Sequence, residues 1–387
     1  MRIAFYAPMK APDDLTPSGD REMAGLLIST LSMARHDVEI ASSFRAYEGA
    51  GSPIQQEKLR AGAEREAARL IARYRARDED MRPELWFSYH VYYKSPDWIG
   101  PQVAKALQIP YVVAEASYAA SRAQGPWALG HMGAELAIKS ANLIFSMTSI
   151  DREGLEKILD EGQIQRDLPP FLDPAPYSRI TRTDPEPGQP VRLLAVGMMR
   201  PGDKVESYRR LADYLGRTKN QNWNLTVVGD GPARAEVEAL LSRFGPERVR
   251  MLGARAKFEM PQLYAEADIC VWPAAGEAYG MALLEAQAAG LPIIAGKVRG
   301  VTEVILDGQT GFLTPEGDAE AFAGVVDFLI SDSEARLRMG ATAKRFVSNM
   351  RSMEKAAIIL NAGLNRLPRK PDPSRGWWVR LLKRRQG

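Results

Sequence analysis

A single cysteine, Cys270, among 387 residues excludes any disulfide within one chain, and such sparse use fits a reducing compartment. No window approaches about eighteen uninterrupted apolar residues, so no transmembrane helix is expected. The opening run Met-Arg-Ile-Ala-Phe-Tyr-Ala is too short for a signal-peptide core and lacks a small-residue cleavage site. A net charge of only +3 makes no global demand for nucleic acid. Internal repeats and low-complexity stretches are missing too. These absences leave a cytoplasmic soluble enzyme or binding protein. The 45% hydrophobic and 26% charged content is ordinary for that class, and the length suits two α/β domains.

Short apolar runs alternate with helix-length stretches. The first half gives Arg2–Tyr6, Val38–Ser42, Glu84–Tyr89, Tyr111–Ala114 and Asn142–Met147. The second gives Val191–Gly197, Asn224–Gly229, Arg248–Gly253, Asp268–Trp272, Leu291–Ala295 and Gly311–Leu313. Most runs are continuous rather than alternating, which suits strands buried on both faces of a parallel sheet. Repeated βα units predict two Rossmann-like, doubly wound parallel-sheet domains. The stretch Pro169–Pro190 holds seven of the 26 prolines and cannot form a core element, so it is expected to link the halves. We expect an N-terminal domain over 1–172, a linker over 173–190 and a second domain over 191–360. Two such sheets facing each other leave a cleft at the carboxyl ends of their strands, where ligands bind. Glu57–Asp80, dense in Arg, Glu and Ala, predicts an exposed charged helix. Its Asp78-Glu79-Asp80 lies in a charge run rather than after an apolar strand, which favours a solvated helix end over a metal site.

The strongest motif runs from Ala275 to Pro292, after the strand that ends before Pro273. Glu277 lies in the loop, followed by Ala278, Tyr279, Gly280 and Met281, and Glu285 lies within the helix that runs on to Gly290. At ~1.5 Å per residue the two acids stand about 12 Å apart, the span from a donor sugar to a ribose. Between them a helix N-terminus offers N–H groups and a positive dipole end to a diphosphate. The alternative is an amphipathic helix with one capping and one exposed glutamate. A second motif, Gly197-Met198-Met199-Arg200-Pro201-Gly202-Asp203-Lys204, puts Arg200 and Lys204 in a turn where they would face a diphosphate, or else form a solvated basic loop. Gly229-Asp230-Gly231 closes a third strand.

In the order and spacing of these motifs, from about Val191 to Met350, the second half resembles glycosyltransferase family 4. The glutamate-x7-glutamate pair falls at Glu277 and Glu285; Gly229-Asp230-Gly231, Ala289-Gly290-Leu291-Pro292, Gly300-Val301-Thr302-Glu303 and Gly308-Gln309-Thr310-Gly311 follow suit. The resemblance implies the GT-B fold, a nucleotide-sugar donor, retention of configuration, no catalytic metal and no cofactor. It implies that Glu277 holds the donor sugar, Glu285 the ribose and Lys204 the diphosphate. Where the family has Arg directly after the glycine matching Gly197, this chain has Met198, so Arg200 is taken for that role. A GT-B epimerase, a sugar phosphorylase and a non-catalytic nucleotide-sugar-binding protein are the alternatives.

In the first half, Gly19 is the residue of its loop best able to approach a phosphate. Strand-end residues Tyr92, Tyr93, Lys94, Trp98, Glu115, Tyr118, Arg122, Trp127 and His131 suggest an acceptor site, because aromatic faces pack on sugar rings; core packing is the alternative for each ring. His90 is taken as catalytic or acceptor-contacting and His36 as structural. The acceptor is expected to be a glycan or a lipid-linked glycan in surface polysaccharide assembly. The tail from 361 to 387 either packs on the N-terminal domain or, through Trp377, Trp378 and the basic residues around them, binds an anionic membrane at its inner face.

Overall fold

The computed structural model describes residues 1–15, 18–180, 188–298 and 300–368. The tail segment 375–387 and Arg299 lie outside the described residues. Among the described residues twelve strands form two sheets: β1 (Arg2–Tyr6), β2 (Asp37–Ser42), β3 (Leu85–Val91), β4 (Tyr111–Ala116), β5 (Leu143–Ser146), β6 (Ile164–Asp167), β7 (Val191–Val196), β8 (Trp223–Val228), β9 (Val249–Met251), β10 (Ile269–Trp272), β11 (Ile293–Gly296) and β12 (Gly311–Thr314). The chain divides into two compact units, the first built on Met1–Leu168 with the last helix from Ala356, the second on Pro169–Lys355. Among the described residues no helix is long and apolar enough to cross a membrane.

In the first unit the sheet order is β2-β1-β3-β4-β5-β6, all parallel. Continuous apolar runs put large rings on both faces. Phe5, Phe87 and Phe145 stack across one face, with centroids 5.7 and 6.5 Å apart. Tyr6 and Trp86 take the other, among Ala63, Leu70, Val103 and Ile138 from the covering helices. The helix Pro53–Arg75 is therefore not simply exposed: Ala63, Ala67, Leu70 and Tyr74 form a buried stripe beneath its charged face. Glu79–Met81 closes that stretch as a 3-10 turn. His36 Nε2 lies 2.8 Å from Asn361 Oδ1 on the last helix.

In the second unit the order is β12-β11-β10-β7-β8-β9, also parallel. The proline-rich stretch contributes buried side chains, contrary to expectation. Phe171 and Leu172 are buried, and Tyr177, in the short helix Ala175–Ser178, packs edge-on to Tyr264 at 5.9 Å. The prolines themselves cannot donate to a ladder, but Leu172 beside them makes an isolated parallel bridge with Ser352.

Each sheet reverses direction once. In the first unit, chain order runs outward from between β1 and β3; in the second, from between β7 and β10. Loops leaving the carboxyl ends of such strand pairs diverge and leave a crevice.

Candidate functional site

At the second unit's reversal, the helix Asp203–Leu215 starts after β7 and the helix Met281–Ala288 after β10. The Lys204 ammonium donates to Glu277 Oε2 at 2.5 Å, and the Trp272 indole N–H donates to the same oxygen at 3.2 Å. Lys204 Nζ also stands 5.5 Å from the Trp272 ring, within reach of a cation–π attraction. Glu285, the fifth residue of its helix and so one turn in, accepts a hydrogen bond from the Tyr264 hydroxyl at 2.9 Å. Gly280 takes a left-handed conformation (φ 73°) at the head of that helix. Close approach decides the glycine at 229: a Cβ there would fall 1.9 Å from the Gly197 carbonyl oxygen. The two turns therefore lie backbone to backbone.

At the first unit's reversal, the helix Gly19–Met33 starts after β1, so Asp20 is in its first turn. His90, near the end of β3, places Nδ1 2.7 Å from Asp20 Oδ1 and Nε2 3.8 Å from Glu115 Oε1 on β4. His90 and Glu115 both have positive φ, 62° and 59°, a strained conformation for residues with a Cβ. Burial favours the neutral imidazole, but the Glu115 charge and the bond to Asp20 outweigh it, and the pKa of His90 rises to about 9. Burial raises the Glu115 carboxyl above its usual range. Burial also presses Asp20 upward, yet the hydrogen bond and charge of His90 bring it below the ordinary value. From His90 a row of rings continues: Tyr92 stacks on it at 4.9 Å, Tyr93 meets Tyr92 edge-on at 5.4 Å, and the buried Trp127 meets Tyr93 at 5.2 Å.

Residues 179–346 match the family described as glycosyl transferases group 1. The match spans under half of the chain, and over that stretch the chain is similar to this family. A sulfoquinovosyl transferase, SQD2 of Arabidopsis thaliana, is 30% identical over 169 residues, covering 43% of this chain and 31% of that protein. The chain thus aligns with under a third of that relative's length. A sucrose-phosphate synthase from Thermosynechococcus elongatus superposes with TM-score 0.72 at 18% identity, over 93% of this chain and 97% of that one. Anabaena HepE, solved with UDP-glucose, gives 0.68 at 17% identity, over 95% and 100%. The fold is GT-B, with two doubly wound parallel sheets.

Within the second unit, Lys204 and Glu277 are in contact, Gly197 and Gly229 are in contact, and Tyr279, Gly280, Met281 and Glu285 lie at the head of one helix. Ala278 and Arg200 are exposed in the flanking loops. In the first unit His90, Glu115, Tyr92, Tyr93 and Trp127 join one cluster, with Lys94 beside the Trp127 ring and Arg122 beside the Tyr93 ring. Gly19 opens the helix that carries Asp20. Tyr118 and His131 form a separate pair, centroids 5.1 Å apart. Trp98 belongs to the apolar core, with Gly133 so close that a Cβ there would fall 2.3 Å from its ring. Trp272, Tyr264 and Asp20 carry no expected role in the sequence, although Trp272 directly precedes Pro273 at a strand end. The buried Asp97 carboxylate was missed too; it accepts from Ser88, Tyr111 and the N–H groups of Ile99 and Gly100 and ties β3 to the next helix.

Because the pKa of His90 is raised above its unfolded value, the charged ring stabilises the fold. That contribution is fully present below about pH 6.5 and is lost as pH rises through about 9. Denaturation midpoints measured from pH 6 to 10 should fall more steeply for the wild type than for His90→Asn. Parallel curves would refute the charged histidine.

Proposed function

We propose that the protein is a retaining, metal-independent glycosyltransferase that moves a hexose from a nucleoside diphosphate sugar to a glycan or lipid-linked acceptor. Surface polysaccharide assembly at the inner face of a membrane is the setting this reading favours. The observation that carries it is the Lys204–Glu277 pair at the strand reversal, one helix start away from the Tyr264-held Glu285. In the proposed step the bond from the sugar C1 to the β-phosphate oxygen breaks, and its electron pair leaves with the diphosphate. The acceptor oxygen bonds to C1, and its proton passes to the departing phosphate. Lys204 and Arg200 neutralise the growing charge, which is the electrostatic work that a divalent metal does elsewhere. Glu277, next to that cation, orients the sugar hydroxyls. Glu285 accepts from the ribose hydroxyls. The ring row from His90 to Trp127 is the platform for the acceptor.

The test is a panel of UDP-glucose, GDP-mannose and ADP-glucose, with release of nucleoside diphosphate followed in the presence of EDTA. One donor should be bound and slowly hydrolysed, giving the anomer of unchanged configuration by proton NMR. An epimerised sugar, a sugar phosphate formed with added phosphate, or binding without release would replace this reading by the corresponding alternative.

A further inference from the structure

The chain enters the second unit at Pro169 and leaves it at Lys355, and its two terminal segments there lie side by side. Leu172 and Ser352 form a parallel bridge; the Leu172 N–H donates to the Arg351 carbonyl at 2.9 Å, and the Met353 N–H donates to the Leu172 carbonyl at 3.0 Å. From this clasp a series of contacts runs on each side to the helix Met281–Ala288. On the entry side Tyr177 packs edge-on to the fully buried Tyr264, whose hydroxyl donates to Glu285. On the exit side the Arg351 guanidinium, 4.8 Å from the Phe346 ring, donates to the Glu303 carbonyl at 2.8 Å. Glu303 and Val304 end the short helix Val301–Val304, whose last carbonyls have no partner within it. The Val304 carbonyl accepts from the Gln287 side-chain amide at 2.6 Å, and the fully buried Gln287 lies two residues beyond Glu285 on the same helix. The two routes therefore start at one clasp and close on one helix.

We infer that Tyr177 and Arg351 are positioning residues of the nucleotide site: through Tyr264 and Gln287, the clasped entry and exit segments set the helix that carries Glu285. This rests on the reading of Glu285 as the ribose ligand. The side chains along the two routes are not those that burial alone would ask for. A phenol, a carboxamide and a guanidinium withdrawn from water cost free energy whenever a partner shifts, whereas apolar side chains tolerate repacking. Such groups fix the place of a helix and not only its burial. Glu285 needs that precision, because its hydrogen bonds to ribose hydroxyls weaken steeply with distance and angle. On this reading neither Tyr177 nor Arg351 contacts the nucleotide. The coupling runs both ways: whatever holds Glu285 ready for the nucleotide is itself held more firmly once the nucleotide is bound. An occupied site should thus tighten the clasp between Leu172 and Ser352.

Calorimetry on the full chain with UDP, GDP and ADP first identifies the nucleotide that binds, and Glu285→Ala checks that the binding depends on that carboxylate. Tyr177→Leu and Arg351→Met should each weaken that nucleotide roughly fivefold or more, while kcat at saturating donor stays near the wild-type value. Val326→Ala separates loss of stability from loss of position. It opens a cavity under another helix of the same unit, Ala319–Ser331, so it should lower the melting temperature and leave the affinity unchanged. Hydrogen exchange read by mass spectrometry supplies the reverse direction: saturating nucleotide should slow the amides of Leu172 and Met353 in the wild type, and slow them less in the two variants. Three results would each overturn the relay while leaving Glu285 in its role. They are wild-type affinity in both variants, an equal loss of affinity in Val326→Ala, and exchange at Leu172 and Met353 that ignores bound nucleotide. If Glu285→Ala binds as the wild type does, or if none of the three nucleotides binds, the donor reading itself has failed and the relay falls with it.

Discussion

Lys204→Ala should lower turnover by about two to three orders of magnitude at saturating donor while the protein stays folded. The figure is that of a preorganised donor removed from a site of developing negative charge, ~3 kcal/mol of barrier. The ammonium is held by Glu277 and lies over Trp272, so on the proposed reading it is placed before the diphosphate departs. The substitution also strips Glu277 of its cation and leaves it the Trp272 N–H. Donor hydroxyls should then be held less firmly, and KM should rise along with the fall in kcat. Both side chains are partly solvent-exposed, so the pair is not a buried ion pair whose rupture unfolds a domain. Lys204→Arg should fall between the two, since a guanidinium keeps the charge but not the point geometry. Steady-state kinetics beside a thermal melt decide the matter. Wild-type turnover in a folded Lys204→Ala protein would remove Lys204 from the chemistry.

The two glutamates should separate when each is removed. Glu285→Ala is expected to weaken binding of free nucleoside diphosphate by roughly tenfold to a hundredfold, the value of one or two charge-assisted hydrogen bonds to ribose hydroxyls. Glu277→Gln should leave that affinity within a few-fold of wild type and reduce sugar transfer far more. Tyr264 acts through Glu285: its hydroxyl holds one carboxylate oxygen, so Tyr264→Phe should show a weaker form of the Glu285→Ala effect, in nucleotide affinity and not in kcat. Calorimetry with the nucleotide and kinetics with the donor supply the two readouts. Equal losses of nucleotide affinity in the two glutamate variants would defeat the division of labour.

The buried strands were legible because parallel sheets covered on both faces need unbroken apolar runs, and Leu85–Val91 or Val191–Val196 admit little else. The strand Ile164–Asp167 was not legible. It is an edge strand with the sequence Ile-Gln-Arg-Asp, and only one neighbour asks anything of it. The stripe on Pro53–Arg75 hid for a different reason: alanines at 63 and 67 bury fully without standing out among arginines and glutamates. In the candidate site, loops and helix starts could be read directly, since glycines and acids mark them. Contacts could not. Lys204 meets Glu277 across 73 residues because β7 lies beside β10, and His90 meets Asp20 across 70 because β1 lies beside β3. Strand order fixes both meetings, and strand order leaves no trace in any short window of sequence.

The one cysteine offers a way to watch half of this molecule at a time. Cys270 sits in β10 between β7 and β11, fully enclosed, and burial pushes its thiol up to about 12. A thiol reagent can reach it only when that sheet opens, and the first unit contributes no sulfhydryl to the signal. Labelling rates under native conditions therefore clock the opening of the second sheet alone. A nucleotide that binds there should slow the clock in proportion to its occupancy, which turns an inert core residue into a ligand sensor that requires no engineered probe.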